Sequence, residues 1–211
     1  MAHDDIAGLI GAVAREVRDG EREGKPVRTV VASRTYDTEI DDLWDALTNA
    51  ERIPRWFMPI SGELKLGGRY QLEGNAGGVI TACEPPRHLA LTWEFGGGMS
   101  WVEVDLAASG DGAWLELRHT APIDAHWEKF GPGAVGVGWE LGLMGLARHL
   151  ADPGATRPPE GDPAWMETPD AKRFMSLSSA AWGEADIAAG ADPVQARAAA
   201  HSTGKFYRGE A

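Results

Sequence analysis

The chain holds a single cysteine in 211 residues, Cys83. A lone thiol excludes an internal disulfide and a multi-thiolate metal site; it fits a reducing interior, where Cys83 is expected to be an inert core residue. Basic residues are scarce as well: 20 Lys and Arg stand against 32 Asp and Glu, a formal net charge of −12. Nucleic acid and anionic membrane surfaces both need clustered Lys and Arg, so neither is an expected partner. No apolar run is long enough to span a bilayer, and the first residues carry Asp4 and Asp5 rather than the basic flank of a signal peptide. A cytoplasmic location is the expectation. What is present is an apolar fraction of 43%, ordinary for a soluble fold, and nine tryptophans, from which thick cores and pockets are both built. The length suits one domain with appendages.

Residues 1–26 read as an N-terminal amphipathic helix and linker: Ile6, Ile10, Val13 and Val17 fall at helical spacing behind Asp4 and Asp5, the helix ends near Gly20, and a charged linker runs over 21–25. Its apolar stripe needs a surface, either the body of the same chain or a second copy, so a homodimer through the terminal helices is one expectation. Residues 27–152 form the main domain. Arg28 to Tyr36 is a Val- and Thr-rich strand, Asp37 or Thr38 caps a helix carrying Ile40, Leu43, Trp44 and Leu47, and Asn49 starts a second short helix through Trp56, interrupted at Pro54. Gly67-Gly68, Gly77-Gly78, Pro85-Pro86, Gly96-Gly97-Gly98 and Asp111-Gly112 punctuate hairpins.

Between those turns apolar and polar residues alternate. Leu89, Leu91 and Trp93 share a face, as do Val102, Val104 and Leu106, and Leu115, Leu117 and His119, while Glu94, Glu103, Asp105, Glu116 and Arg118 take the other. One apolar and one charged face describe an antiparallel sheet covered on one side, a curved meander. After Gly131-Pro132-Gly133 comes a closing helix, about Ala134 to Leu150, with one stripe at Val135, Trp139, Leu143, Leu146 and Leu150 and a second at Val137, Leu141 and Met144. A helix apolar nearly all round is buried on more than one side. The sheet covers one stripe, and the C-terminal helical extension, 153–211, is the candidate for the other. There, residues 152–164 read as a Pro- and Gly-rich linker, Thr168 or Asp170 caps a helix to about Ala189, and Asp192-Pro193 starts a last one to about Ser202.

A sheet gripped by one helix encloses a cavity. The inward face is hydrocarbon and aromatic, with Tyr70, Leu72, Ile80, Leu91, Trp93, Val102, Val104, Leu106, Leu115 and Leu117, interrupted by the Tyr70 hydroxyl and the His119 imidazole. A mostly apolar pocket with a few polar groups is the usual form of a small-molecule site. Trp56-Phe57-Met58 and Trp139 are either core or pocket rim. Gly138, Gly142 and Gly145 form a strip along the closing helix beside Leu143; three interior glycines cost on the order of 3 kcal/mol relative to alanine. Close packing or room for a ligand must offset that. Candidate ligand-binding residues are therefore Trp56, Phe57, Tyr70, Leu72, Leu91, Trp93, Val102, Val104, Leu117, His119, Trp139, Gly142 and Leu143. Catalysis has one candidate acid–base group, His119, with no orienting carboxylate beside it in sequence. Asp124, His126 and His149 lack recognised metal-ligand spacing, and the Gly-Gly pairs fall in hairpins rather than between a strand and a helix, so no metal or phosphate cofactor is implied.

Seven segments follow one another in a familiar order: Arg34-Thr35-Tyr36-Asp37, Leu43-Trp44-Asp45-Ala46, Arg55-Trp56-Phe57-Met58-Pro59, Gly67-Gly68-Arg69-Tyr70, Glu84-Pro85-Pro86-Arg87-His88-Leu89, Thr92-Trp93-Glu94 and Leu115-Glu116-Leu117-Arg118-His119. In this series the chain resembles the START-like (SRPBCC) superfamily, and within it most resembles the group of homologues of the activator of a heat-shock chaperone ATPase. The resemblance covers about residues 27–152. It implies an α+β helix-grip fold, a curved antiparallel sheet wrapped on a long C-terminal helix, here with additional N- and C-terminal helices. It also implies a cavity that takes a small apolar or aromatic molecule, as members do in roles such as stress response or bacterial secondary metabolism. Two other functions follow from the resemblance: a polyketide cyclase- or dehydratase-like enzyme with His119 as acid–base group and Tyr70 as carbonyl donor, and a co-chaperone that engages a chaperone partner through its surface.

Overall fold

The computed structural model describes residues 5–154 and 163–210; Asp4 and most of the Pro- and Gly-rich segment lie outside the described residues. Eight strands form one antiparallel sheet: β1 (Ala14–Arg22), β2 (Lys25–Tyr36), β3 (Ile60–Gly62), β4 (Arg69–Leu72), β5 (Gly77–Glu84), β6 (His88–Phe95), β7 (Gly98–Ser109) and β8 (Gly112–Pro122). Their order in space is β1-β2-β8-β7-β6-β5-β4-β3. The chain thus leaves β2, crosses to the far edge and returns hairpin by hairpin until β8 closes on β2. The ladder sets Val104 opposite Leu117, Leu91 opposite Val102 and Val102 opposite His119, so the apolar alternation of each strand falls on one face. Across that face runs α4 (Gly133–Ala151), anchored by the Tyr36 hydroxyl, which donates to the Leu143 carbonyl at 3.2 Å. This is the α+β helix-grip fold.

The charged face is laced rather than merely solvated. Arg118 lies between Glu103 (3.2 Å), Glu116 (2.8 Å) and Asp105, and Arg69 reaches Glu94 at 2.7 Å. These carboxylates are occupied by cationic partners on the side away from α4.

The expected N-terminal helix to Gly20 is corrected. The helix, α1, covers only Ile6–Gly11, with the Asp5 carboxylate accepting from the Gly8 N–H at 3.0 Å, and Ala14–Arg22 is the edge strand β1. Nor is 21–25 a linker: it is a tight hairpin with Glu23 and Gly24 at φ 53° and 74°, the positive-φ pair that matches strand twist. Val13 and Val17 mimic helical spacing after Ile6 and Ile10, but along β1 only Val17 is buried, so local periodicity carried no strand signal. The ladder to β2, with Val17 opposite Val30, decides the outcome.

Other local details shift for similar reasons. Glu39, not Asp37 or Thr38, occupies the cap position of α2 (Ile40–Thr48), and the Thr38 hydroxyl instead donates to Asp42 at 2.7 Å. The second helix shrinks to one 3-10 turn, Ile53–Arg55, around Pro54. Cys83 is half-buried and packs against the Tyr70–Leu72–Ile80 core cluster. A short helix, α3 (Ala125–Phe130), precedes α4. The extension supplies α5 (Pro163–Met166), α6 (Pro169–Ala188), capped by Thr168, and α7 (Pro193–Tyr207), capped by Asp192.

The second stripe of α4 is covered from within the chain. Met144 packs with Ile6 of α1 and Phe174 of α6, and the Trp182 ring of α6 lies against Gly136. On the same side Glu140 is 1% exposed and receives two hydrogen bonds from Arg15, at 2.6 and 2.7 Å. Arg15 also donates to the carbonyls of Ile10 and Val13, so one guanidinium ties the start of β1 to α1 and α4. Among the described residues no helix is long and apolar enough to cross a membrane.

Candidate functional site

Between the sheet and α4 lies a chamber of about 110 Å³. Twelve of the thirteen candidate residues meet there: Trp56, Phe57, Tyr70, Leu72, Leu91, Trp93, Val102, Val104, Leu117, Trp139, Gly142 and Leu143. Strand alternation aims the sheet residues inward, and Leu143 and Trp139, four apart on α4, face them one turn from each other. Trp56 is held by its indole N–H, which donates to the Ala46 carbonyl at 2.9 Å. Its ring stacks on Phe57 at 5.3 Å, Phe57 stacks on Trp139 at 6.0 Å, and Trp139 meets Trp93 at 5.0 Å. The chamber is therefore bounded by a run of rings from Trp56 through Phe57 and Trp139 to Trp93, with mostly aliphatic side chains and Tyr70 on the rest of the sheet side.

Leu47, Ile53, Ile60, Leu89 and Leu115 complete the lining and were not among the candidates. Leu89 and Leu115 were visible in the alternation and Leu47 in the stripe of α2. Ile53 and Ile60 flank the Trp56-Phe57-Met58 triplet with no periodicity to mark them.

The exception is His119, which borders not the chamber but a second hollow of about 280 Å³, with Trp93, Ser100, Asp124, Trp127 and Val135. It shares a strand face with Leu117, yet the rings of Trp93 and Trp139, each 5.9 Å from the imidazole, screen it. His119 is 3% exposed, and burial pushes its imidazole down to about 4. The Trp139 indole, which can only donate, gives its N–H to His119 Nδ1 at 2.9 Å. The neutral ring therefore carries its proton on Nε2 and donates to the Ser100 hydroxyl at 2.8 Å, which in turn donates to the Trp93 carbonyl at 3.3 Å. Along this Trp139–His119–Ser100 series both imidazole nitrogens are bonded, and the lone pair an acid–base role would use is occupied.

Tyr70 is similarly engaged: its hydroxyl donates to the Thr92 carbonyl at 2.8 Å, and burial, with Glu94 adding to it, raises its pKa. Asp124 caps α3, accepting from the Trp127 N–H at 2.9 Å, His126 lies on Phe130 and His149 accepts from Arg52 at 3.2 Å. Among the described residues no group of three or more His, Cys, Asp or Glu is placed to hold a metal.

Three glycines of α4, Gly136, Gly138 and Gly142, make room for aromatic side chains. A Cβ on Gly142 would stand 3.2 Å from Phe57, and one on Gly138 3.1 Å from the Tyr207 hydroxyl. The closest approach falls outside the strip, at Gly136, where a Cβ would come within 2.3 Å of the Trp182 ring.

With this geometry established, comparison with known proteins places the chain. The family model for Activator of Hsp90 ATPase homolog 1-like protein matches residues 37–151, more than half the chain. The chain belongs to that family. As an AHSA1-like chain it falls within the START-like superfamily. It is similar to CalU16 from Micromonospora echinospora, at 31% identity, in both a crystal structure (82% of this chain, 98% of that one, TM-score 0.68) and a solution structure (84% and 97%, TM-score 0.72). That likeness extends well beyond the segment the family model matches. EF2215 from Enterococcus faecalis, a conserved protein of unknown function, shares the fold at 15% identity over 88% of this chain and 96% of that one, with a TM-score of 0.60. No curated protein matches in sequence.

Proposed function

We propose that this AHSA1-like chain binds a small apolar or aromatic molecule in the chamber between the sheet and α4. The observation that supports the reading is the unbroken apolar lining, from Leu72, Val104 and Leu117 on the sheet to Trp139 and Leu143 on the helix. Filling so much of an interior with rings and branched carbons would ordinarily give a solid core; here about 110 Å³ is left over. That is below the roughly 300–1,000 Å³ of most ligand pockets and near the ~150 Å³ apolar cavity that admits benzene. It suits one ring. With no charged group in the lining, contact within the chamber is apolar.

Calorimetric titration with toluene tests the reading. The expected result is a Kd below about 1 mM, equivalent to about −4 kcal/mol, and its loss in a Val104→Phe variant that retains the wild-type circular dichroism. Absence of binding to the wild-type protein would overturn the reading.

A further inference from the structure

The two hollows meet back to back at one wall. Chamber and groove share Trp93; Trp139 bounds the first, and His119 and Ser100 bound the second. The wall is the hydrogen-bonded series from the Trp139 indole through His119 to Ser100. Its members are not equally fixed. His119 is buried and bonded at both nitrogens, whereas Trp139 is half-buried and its one polar atom is held by His119 alone. The outer groove reaches the surface, its rim formed by Phe95 and Met99, 60% and 46% exposed.

We propose that chamber and groove are two halves of one ligand site, that Trp139 is the movable partition between them, and that the ligand is a fused-ring aromatic bearing a hydroxyl that takes the indole's place on His119 Nδ1. The inference rests on the cavity reading above and goes beyond it in naming the ligand class and the residue that selects it. Volume is the first argument. The chamber alone falls well short of the range in which small-molecule sites lie, and joined to the groove it enters it. Hydrogen bonding is the second. If the indole swings away, Nδ1 is left as a buried acceptor without a donor, which is costly. A ligand that brings its own hydroxyl restores the bond, and one without it does not, so the wall selects for a donor at a fixed distance from the rings. The polar groups of the groove, Ser100 and Asp124 among them, then surround the oxygenated end, and the apolar chamber takes the rings.

Nuclear magnetic resonance of the ¹⁵N-labelled full chain tests this with toluene, 2-naphthol and 2-methoxynaphthalene. The Trp139 indole N–H signal is assigned by its loss in Trp139→Phe. Expected for 2-naphthol are a large shift of that signal, shifts at both Val104 (chamber) and Ala121 (groove), and at least tenfold tighter binding than 2-methoxynaphthalene. In Trp139→Phe, which keeps a ring but has no donor, the preference for the hydroxyl grows, because nothing competes for Nδ1. Equal affinities for the two naphthalenes, shifts confined to one side of the wall, or an unmoved indole signal would overturn the partition, while toluene binding in the chamber leaves the cavity reading standing. Failure of all three probes to bind overturns both.

Discussion

Lowering the pH from 7 to 5 puts the His119 network under a defined load. In the folded chain burial holds the imidazole down to about 4, against an ordinary value of 6.5. The folded state therefore favours the neutral ring. The unfolded state takes up a proton as pH falls through about 6.5, and the folded state does not until about 4, so stability is complete above the unfolded value and is lost across that window. At 1.36 kcal/mol per pH unit, the whole window is worth about 3 kcal/mol, of which about 2 is gone by pH 5. Other groups titrate too. Asp42 and Asp105 are held below the usual carboxylate range: burial pushes against this, but hydrogen bonds from Arg52 and Thr38 in the first case, and from His88 and Arg118 in the second, outweigh it, so both stay ionised at pH 5. Asp186 is raised by burial and works in the opposite direction, and His149, lowered chiefly by burial and then by Arg52 and Arg55, works in the same direction as His119. The difference between wild type and His119→Gln isolates the one residue, since an amide can still accept from Trp139 and donate to Ser100. Urea unfolding followed by circular dichroism at pH 7, 6 and 5 is the assay. Wild type should lose about 2 kcal/mol more than the variant between pH 7 and 5. Parallel losses in the two proteins would refute the assignment of a buried, neutral, doubly bonded His119.

Three further outcomes follow from the packing on the other side of α4. Gly136→Ala drives a methyl into the Trp182 ring, and a drop of about 1–3 kcal/mol in unfolding free energy is expected from overpacking; an unchanged denaturation midpoint would contradict the contact. Arg15→Ala leaves Glu140 buried without its partner, which costs about 3–5 kcal/mol. The double variant Arg15→Met/Glu140→Met should recover most of that loss in the same unfolding experiment, because two apolar side chains leave no uncompensated charge; a double variant as unstable as the single one would show that the charges are not acting as a pair.

The sheet was legible because alternation is a local signal. Leu115, Leu117 and His119, or Val102, Val104 and Leu106, declare a common face without reference to any other strand. The long helix was legible because two apolar stripes on one cylinder demand two neighbours. β1 was not, since its nine residues bury only Val17 and its strand character comes from pairing with β2. The same limit governed the site. Which strand side chains point inward could be read from period two, and seven of the eight strand candidates line the chamber. That His119 is screened from it could not be read, because the screen is made by Trp93 and Trp139, which are far apart in sequence and meet only when α4 lies across the sheet. Arg15 and Glu140, 125 residues apart, gave no sequence signal either, beyond a single carboxylate on a largely apolar helix.

The central claim is that an apolar guest enters the chamber between the sheet and α4, and intermolecular nuclear Overhauser effects from bound toluene test it most directly. Contacts from the toluene protons to the methyl groups of Val104, Leu117 and Leu143 together are expected. Contacts confined to surface methyls, or none at a toluene concentration near its solubility, would contradict it.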